Sequence, residues 1–203
     1  MLIVLISGRG SNMQALVEAG LPVNAVISNR GDAGGLDYAR AKGIATAVVE
    51  HRAFAERASF EAALEREIAR FKPRLVALAG FMRVLSGAFV ERYRHRMLNI
   101  HPSLLPAFAG LDTHARVLAA GAKVHGCTVH FVTPELDSGP IVIQAVVPVR
   151  PHDTVEELAA RVLRQEHVIY PRAVRWCLED RLVIQDAVVR VKGNDAQLVM
   201  AAD

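Results

Sequence analysis

The chain opens on five apolar residues without a polar break, Leu2 to Ile6, the pattern of a strand buried on both faces. A glycine-bearing turn, Ser7 to Ser11, follows, and Asn12 to Ala19 then reads as a helix. Val23 to Ser28 predicts a second buried strand, Gly35 to Lys42 a helix closed by Gly43 as its C-cap, and Thr46 to Val49 a third, short strand. Phe54 to Phe71 has a charged face of Glu and Arg opposite an apolar one and predicts a long amphipathic helix, stopped by Pro73. Leu75 to Ala79 and Met97 to Ile100 predict the fourth and fifth strands. Strands alternating with helices at this spacing mean βαβ units and a mostly parallel sheet.

Beyond Val124 the rhythm changes. Cys127 to Val132 and Ile141 to Val149 read as strands joined only by the loop TPELDSGP, an antiparallel extension. Thr154 to Leu178 predicts one long helix with Asp153 as its N-cap. Leu182 to Ile184 and Ala187 to Val191 close as a hairpin, and the segment from Gly193 is expected to fray. The fold class is therefore α/β, with a doubly wound, mostly parallel central sheet and an antiparallel C-terminal extension. The chain shows no internal repeat, low-complexity tract or linker.

Composition narrows the function classes. The 203 residues are 52% hydrophobic and only 5% aromatic, which suits a packed α/β core rather than a disordered chain. The net charge is +3, with Arg spread along the chain among Glu and Asp. A nucleic-acid binder would gather its basic residues on one face, and a modest positive balance also suits anionic small substrates. Cys127 and Cys177 lie among apolar neighbours without metal-ligand spacing and read as free thiols in a reducing compartment. The short N-terminal apolar run lacks the basic leader and cleavage site of a signal peptide. No segment reaches the ~18 apolar residues of a membrane span. A soluble, cytoplasmic protein is expected.

Three constellations carry candidate chemistry. SGRGSN, Ser7 to Asn12, follows a buried strand and opens a helix, where unpaired N–H groups and the positive dipole end suit a phosphate. It lacks the lysine of a Walker loop and the third glycine of a dinucleotide fingerprint, so a tight, capped turn reads equally well. NIHPSLLP, Asn99 to Pro106, lies at the carboxyl end of the fifth strand, where doubly wound sheets bind ligands. Asn99 and His101 leave one face of that strand, and an amide donor beside an imidazole can stabilise an oxyanion and move a proton. The alternative is a strand-end histidine bonded to backbone with Asn as a cap. Asp137, in LDSGP, would favour the imidazolium and raise its pKa if it lay near His101; otherwise it is a turn residue.

Other groups give weaker signals. His125 and His167 read as structural or solvated, and His114 as one of a scattered set. His130 stands two residues from Thr128 on a strand and could face the cleft. Glu166 lies on the long helix, where most glutamates are solvated but one in an amphipathic run can point inward. GFMRVL, Gly80 to Leu85, puts apolar side chains at another strand end, as core or as a bed for a flat heteroaromatic ring. No partnered nucleophile appears, so a covalent intermediate is not indicated.

Together ISGRGSN, SNR with GDAGGL, LAGFMRVLS, MLNIHPSLLP, HGCTVHFVTPELDSGPI and QEHVIYP resemble the folate-dependent phosphoribosylglycinamide formyltransferases of purine biosynthesis, in order and spacing, over roughly residues 2–185. The resemblance implies a Rossmann-like formyltransferase fold. It implies a single domain over 1–192, with a nucleotide-binding half (1–100), a catalytic and folate-binding half (101–192), and a tail (193–203). It implies a catalytic trio of Asn99, His101 and Asp137, and a nucleotide site of Gly10, Ser11, Asn12 and Glu166. Formylfolate would lie against Arg57, Met82, Arg83, Val84, Leu85, Asn99, Thr133, Pro134, Glu135, Leu136 and Asp137. The formyl donor would be 10-formyltetrahydrofolate, with no metal, no nucleic acid and no membrane, in a monomer or homodimer. The Leu105–Pro106 bond would be cis.

Two similar families differ. Formyltetrahydrofolate deformylases carry an extra N-terminal regulatory domain and a second His where this chain has Pro102. Methionyl-tRNA formyltransferases carry a C-terminal tRNA-binding domain and an Arg-Gly pair after SLLP, where this chain continues Ala107-Phe108-Ala109-Gly110. Asp112 stands where many members of the resembled family have His, and Ala107 where some have Lys, departures that bear on the rim of the site.

Overall fold

In the computed structural model, which describes residues 1–201, the chain divides into two compact units, Met1–Leu98 and the part from Asn99 onward. The first is organised by β1 (Leu2–Ile6), whose five side chains are all fully buried. It pairs in parallel with β2 (Val23–Ser28) on one side and β4 (Leu75–Leu78) on the other, and β2 pairs in parallel with β3 (Ala45–Val48). The order β4-β1-β2-β3 makes a topological switch point between β1 and β4, where the connections leave in opposite directions, the place at which doubly wound sheets bind ligands.

Four helices belong to this unit: α1 (Ser11–Glu18), α2 (Gly35–Ala41), α3 (Arg57–Arg70) and α4 (Gly87–Arg92). On α3 the buried Phe60, Leu64 and Ile68 recur every four residues, one apolar stripe of an amphipathic helix. The helix begins later than its pattern predicts. His51–Ala53 form a single 3₁₀ turn and Phe54 is extended, so the apolar residue at 54 belongs to the approach rather than to the helix.

The second unit contains α5 (Thr113–Ala119), β6 (Val124–Phe131), β7 (Ile141–Pro148), α6 (Val155–Leu178), β8 (Leu182–Gln185), β9 (Val188–Val191) and β10 (Leu198–Met200); β5 (Met97–His101) enters it with its last three residues. As predicted, β6 and β7 are antiparallel and β8 and β9 form a hairpin. The β6–β7 register shifts between Val129 and His130, a bulge next to the chemistry-bearing end of the strand. The class is the expected one: α/β, mostly parallel, with antiparallel pairing confined to the C-terminal part.

Two local expectations differ from the structure. Asp153 does not cap α6. Thr154 does, through a reciprocal capping box: its hydroxyl accepts from the Glu157 N–H at 3.2 Å while the Glu157 carboxylate accepts from the Thr154 N–H at 2.9 Å. Asp153 is instead taken by Arg161, whose guanidinium donates two bonds of 2.6 and 2.8 Å to its buried carboxylate. That hydrogen bonding holds the Asp153 carboxyl down at about 2. The described part of the segment from Gly193, residues 193–201, is not a frayed tail either. Gln197 donates to the carbonyls of Val142 (2.7 Å) and Val189 (3.0 Å), and β10 pairs in parallel with β7. Arg181 adds an ion pair to Asp195 and a 2.8 Å bond to the Lys192 carbonyl.

His125 on β6 is buried, with its Nε2 3.0 Å from Nδ1 of His114 on α5 and the two rings edge to face. Burial, then the neighbouring His114 and His101, push His125 down to about 4, and burial lowers His114 as well.

Two stability measurements follow from these contacts. Asp153→Ala leaves a buried guanidinium without its carboxylate and should lower the unfolding free energy by about 3–5 kcal/mol in denaturant titrations. Thr154→Ala should cost only about 1 kcal/mol. The depressed folded-state pKa of His125 means that the unfolded chain takes up its proton first. Its contribution of about 3 kcal/mol is therefore present above its unfolded pKa of about 6.5 and lost as pH falls towards 4. His125→Gln should flatten the fall of the melting temperature across that window.

Candidate active site

At the switch point of the first unit, the loop after β1 is fixed by short bonds. The Ser7 N–H donates to the Gly80 carbonyl (3.1 Å), the Ser7 hydroxyl donates to Asn29 Oδ1 (2.6 Å), and the Met82 N–H donates to the Ser7 hydroxyl (2.8 Å). Loops after three neighbouring strands thus meet at one hydroxyl. Gly10 caps α1 at φ +70°, a left-handed conformation that glycine adopts without cost. No side chain caps this helix start and no acidic residue stands in its first turn. Ser11 is half-buried and Asn12 is buried. Gly10, Ser11 and Asn12 therefore sit where backbone N–H groups and the helix dipole favour an anion.

The residues expected to meet the folate divide between exposed and anchored. Met82, Arg83 and Val84 are exposed, on an irregular stretch between β4 and α4, while Leu85 turns into the core. Glu61 anchors this stretch. Its carboxylate accepts from the Ser86 N–H at 2.6 Å and from the Ser86 hydroxyl, and Arg57, one helical turn before it, lies 3.8 Å away. Sequence reasoning missed Glu61. Its signal was a carboxylate beside Phe60 on the apolar stripe of α3, a position that a solvated glutamate does not occupy.

In the second unit, Asn99, His101 and Asp137 converge. Asn99 and His101 are two residues apart on β5. Asp137 sits in the loop between β6 and β7 at φ 51°, a left-handed conformation that Asp tolerates better than most residues. The loop can turn there because Gly139 follows: a Cβ at Gly139 would fall 1.8 Å from the Phe131 carbonyl oxygen. One carboxylate oxygen, Oδ2, accepts from the Gly110 N–H at 2.9 Å and lies 3.4 Å from Nδ1 of His101. The other, Oδ1, lies 3.8 Å from Nε2 of His130. Nε2 of His101 is 3.2 Å from the Phe108 carbonyl, so both nitrogens of that ring face oxygen. The side chains of His101, His130 and Asp137 are each less than a tenth exposed.

The loop after β5 is held from below. Thr128 on β6 donates to the Ser103 carbonyl (2.7 Å) and accepts from the Leu105 N–H (3.1 Å). Gln144 on β7 donates to the Leu105 carbonyl (2.9 Å), and the Thr113 hydroxyl to the Pro102 carbonyl (2.7 Å). The Leu105–Pro106 bond is cis, as the resemblance implies. Of the remaining expected folate contacts, Thr133 is half-buried, and Pro134, Glu135 and Leu136 form an exposed rim beside Asp137. Glu166 points inward: it is buried on α6, and its charge, after burial itself, helps push the Cys127 thiol up. Among the described residues, no group of three or more His, Cys, Asp or Glu side chains is placed to hold a metal ion. No described helix is long and apolar enough to cross a membrane.

Residues 1–174 match the family model described as Formyl transferase. The chain is 47% identical, over 95% of its length and 94% of the other's, to the phosphoribosylglycinamide formyltransferase of Escherichia coli (strain K12). The crystal structure of the phosphoribosylglycinamide formyltransferase from Anaplasma phagocytophilum superimposes with a TM-score of 0.93, at 41% identity, covering 99% of this chain and 98% of that one. A formyltetrahydrofolate deformylase from Pseudomonas syringae is more distant, with a TM-score of 0.85 at 29% identity, and this chain covers only 65% of it. With a family model spanning most of its residues and a relative matched nearly end to end, the chain belongs to the formyl transferase family, alongside the phosphoribosylglycinamide formyltransferases.

Proposed function

We propose that this chain transfers the formyl group of 10-formyltetrahydrofolate to the amine of 5-phosphoribosylglycinamide, a step of purine biosynthesis, and that it does so in the cytoplasm as a monomer or homodimer. The observation that carries the reading is the buried Asp137 carboxylate, 3.4 Å from His101 on the strand that also bears Asn99. The substrate amine attacks the formyl carbon. A new C–N bond forms, and the carbonyl oxygen becomes an oxyanion. Asn99 and His101 donate hydrogen bonds to it, the preorganised stabilisation that acyl transfer needs. Collapse of the tetrahedral species breaks the bond from the formyl carbon to N10 of the folate. The proton lost by the attacking amine passes to that leaving nitrogen, with Asp137 and His101 as the relay.

Substrate placement follows the same residues. Gly10, Ser11 and Asn12 hold the ribonucleotide phosphate at the start of α1, and Glu166 holds the nucleotide's polar groups. Arg57, Met82, Arg83, Val84 and Leu85, with Thr133, Pro134, Glu135 and Leu136, receive the folate. Water is the competing acceptor, and its use would make the chain a deformylase. Pro102, where the deformylases carry a second histidine, speaks against that use. A product assay with and without the ribonucleotide separates the two: formate release independent of the ribonucleotide would overturn transfer.

Losing one oxyanion donor costs about 10²–10³ in turnover, so Asn99→Ala and His101→Ala should each lower kcat by at least that order while circular dichroism stays native. Full turnover in His101→Ala would refute its role. Ser11→Ala and Asn12→Ala should mainly raise KM for the ribonucleotide, leaving KM for formylfolate alone. An unchanged nucleotide KM would remove the phosphate clamp.

A further inference from the structure

His130 was read from the sequence only as a residue that could face the cleft. It lies at the bulge of β6, where the shifted register re-aims a strand side chain. Its side chain is 3% exposed and has three polar neighbours. Nδ1 is 3.0 Å from the Phe131 carbonyl oxygen, Nε2 is 3.3 Å from Nδ2 of Asn99, and Nε2 is 3.8 Å from Oδ1 of Asp137.

The tautomer follows from the inventory of donors and acceptors. A carbonyl oxygen only accepts, so the Nδ1 beside Phe131 carries the hydrogen. Burial lowers the ring's affinity for a second proton, and outweighs the upward pulls of the Phe131 bond and the Asp137 charge. Nε2 is then a lone pair. The atom within reach of it is the Asn99 amide nitrogen, which donates. A flipped Asn99 would set its carbonyl oxygen against that lone pair, two acceptors face to face in a buried site.

We propose that His130 is a positioning residue for formyl transfer: as a neutral Nδ1–H imidazole it accepts one N–H of Asn99 and thereby decides that the nitrogen end of that amide, not its oxygen, meets the developing oxyanion. This rests on the role assigned to Asn99 above. An amide carries both a donor end and an acceptor end of almost equal shape, so packing alone does not choose between them. The acceptor end would repel an oxyanion. One N–H is committed to His130, and the second, on the same nitrogen, is directed away from the ring for use on the substrate. Asp137 then stands between two histidines of unlike duty: its Oδ2 serves His101, while its Oδ1 stays beyond hydrogen-bond distance of a nitrogen that holds no proton.

The test uses the full chain. Long-range ¹H–¹⁵N spectra at neutral pH should show His130 with a protonated Nδ1 and a bare Nε2. His130→Leu removes the acceptor and should lower kcat about 10–100-fold, bounded by the about 10²–10³ loss of the donor itself, with KM for both substrates within about twofold. His130→Gln puts an amide oxygen near the Nε2 position and should recover most of that loss. In an Asn99→Ala background His130→Leu should cost nothing further, because a group that acts only through Asn99 has nothing left to orient. The proposal is overturned by a protonated Nε2, by wild-type kcat in His130→Leu, by equal losses in the Leu and Gln variants, or by equal losses of His130→Leu with and without Asn99. Should His130→Leu fail to fold, the spectra and the Gln variant decide. A wild-type chain that binds but never transfers formyl would refute the proposed function and leave the tautomer measurement standing.

Discussion

Removing a carboxylate from water costs several kcal/mol unless its oxygens find partners, and that requirement organises the second unit of this protein. Asp137 meets it on Oδ2, with a backbone N–H from Gly110 and the imidazole of His101 on β5. These contacts connect the loop after β5, the strand β5 itself and the β6–β7 loop. The left-handed turn at Asp137 and the close approach of Gly139 to Phe131 are tolerable because the carboxylate is held this way. Without it, the loop would have little reason to keep that shape, and His101 would lose the oxygen that faces its Nδ1.

The two units solve different recognition problems with different materials. In the first, the candidate anion site is made of backbone: a glycine at φ +70°, the start of α1, and loops tied at the Ser7 hydroxyl. Main-chain donors suit a phosphate because they are fixed and need no titration. In the second, the work proposed is proton movement, and the groups are side chains whose hydrogens are placed by their neighbours. Thr128, Gln144 and Thr113 hold the carbonyls and N–H groups of the loop after β5, so that His101 sits at the end of a braced strand rather than on a free loop.

Much of this was legible in the sequence, for physical reasons. Unbroken apolar runs such as Leu2–Ile6 have one stable environment, between two layers, so the strands fall where the pattern places them. The period-2 geometry of a strand put Asn99 and His101 together. What the pattern could not settle was competition between similar groups. Asp153 and Thr154 are both good N-caps, and only the nearby Arg161 guanidinium, eight residues on, decides that the carboxylate goes to it and the hydroxyl to the helix. Glu61 looked like other helix glutamates, and Glu166 read either as solvated or as pointing inward; their burial depends on Ser86 and on β6, which lie far away along the chain. His130 was ambiguous for the same reason, since a one-residue bulge determines where its ring points, and bulges leave no signature in hydrophobic periodicity.

The last strand carries a consequence for handling the protein. β10 is three residues long, yet it covers the backbone of β7 from Gln144 to Val146, a stretch with apolar neighbours on both sides. Trimming the chain after β9, a natural choice for anyone designing a minimal version, would strip that cover and leave a row of open amides and carbonyls on a valine-rich segment. Such an edge recruits strands from other molecules, so the shortened protein would precipitate before it unfolded.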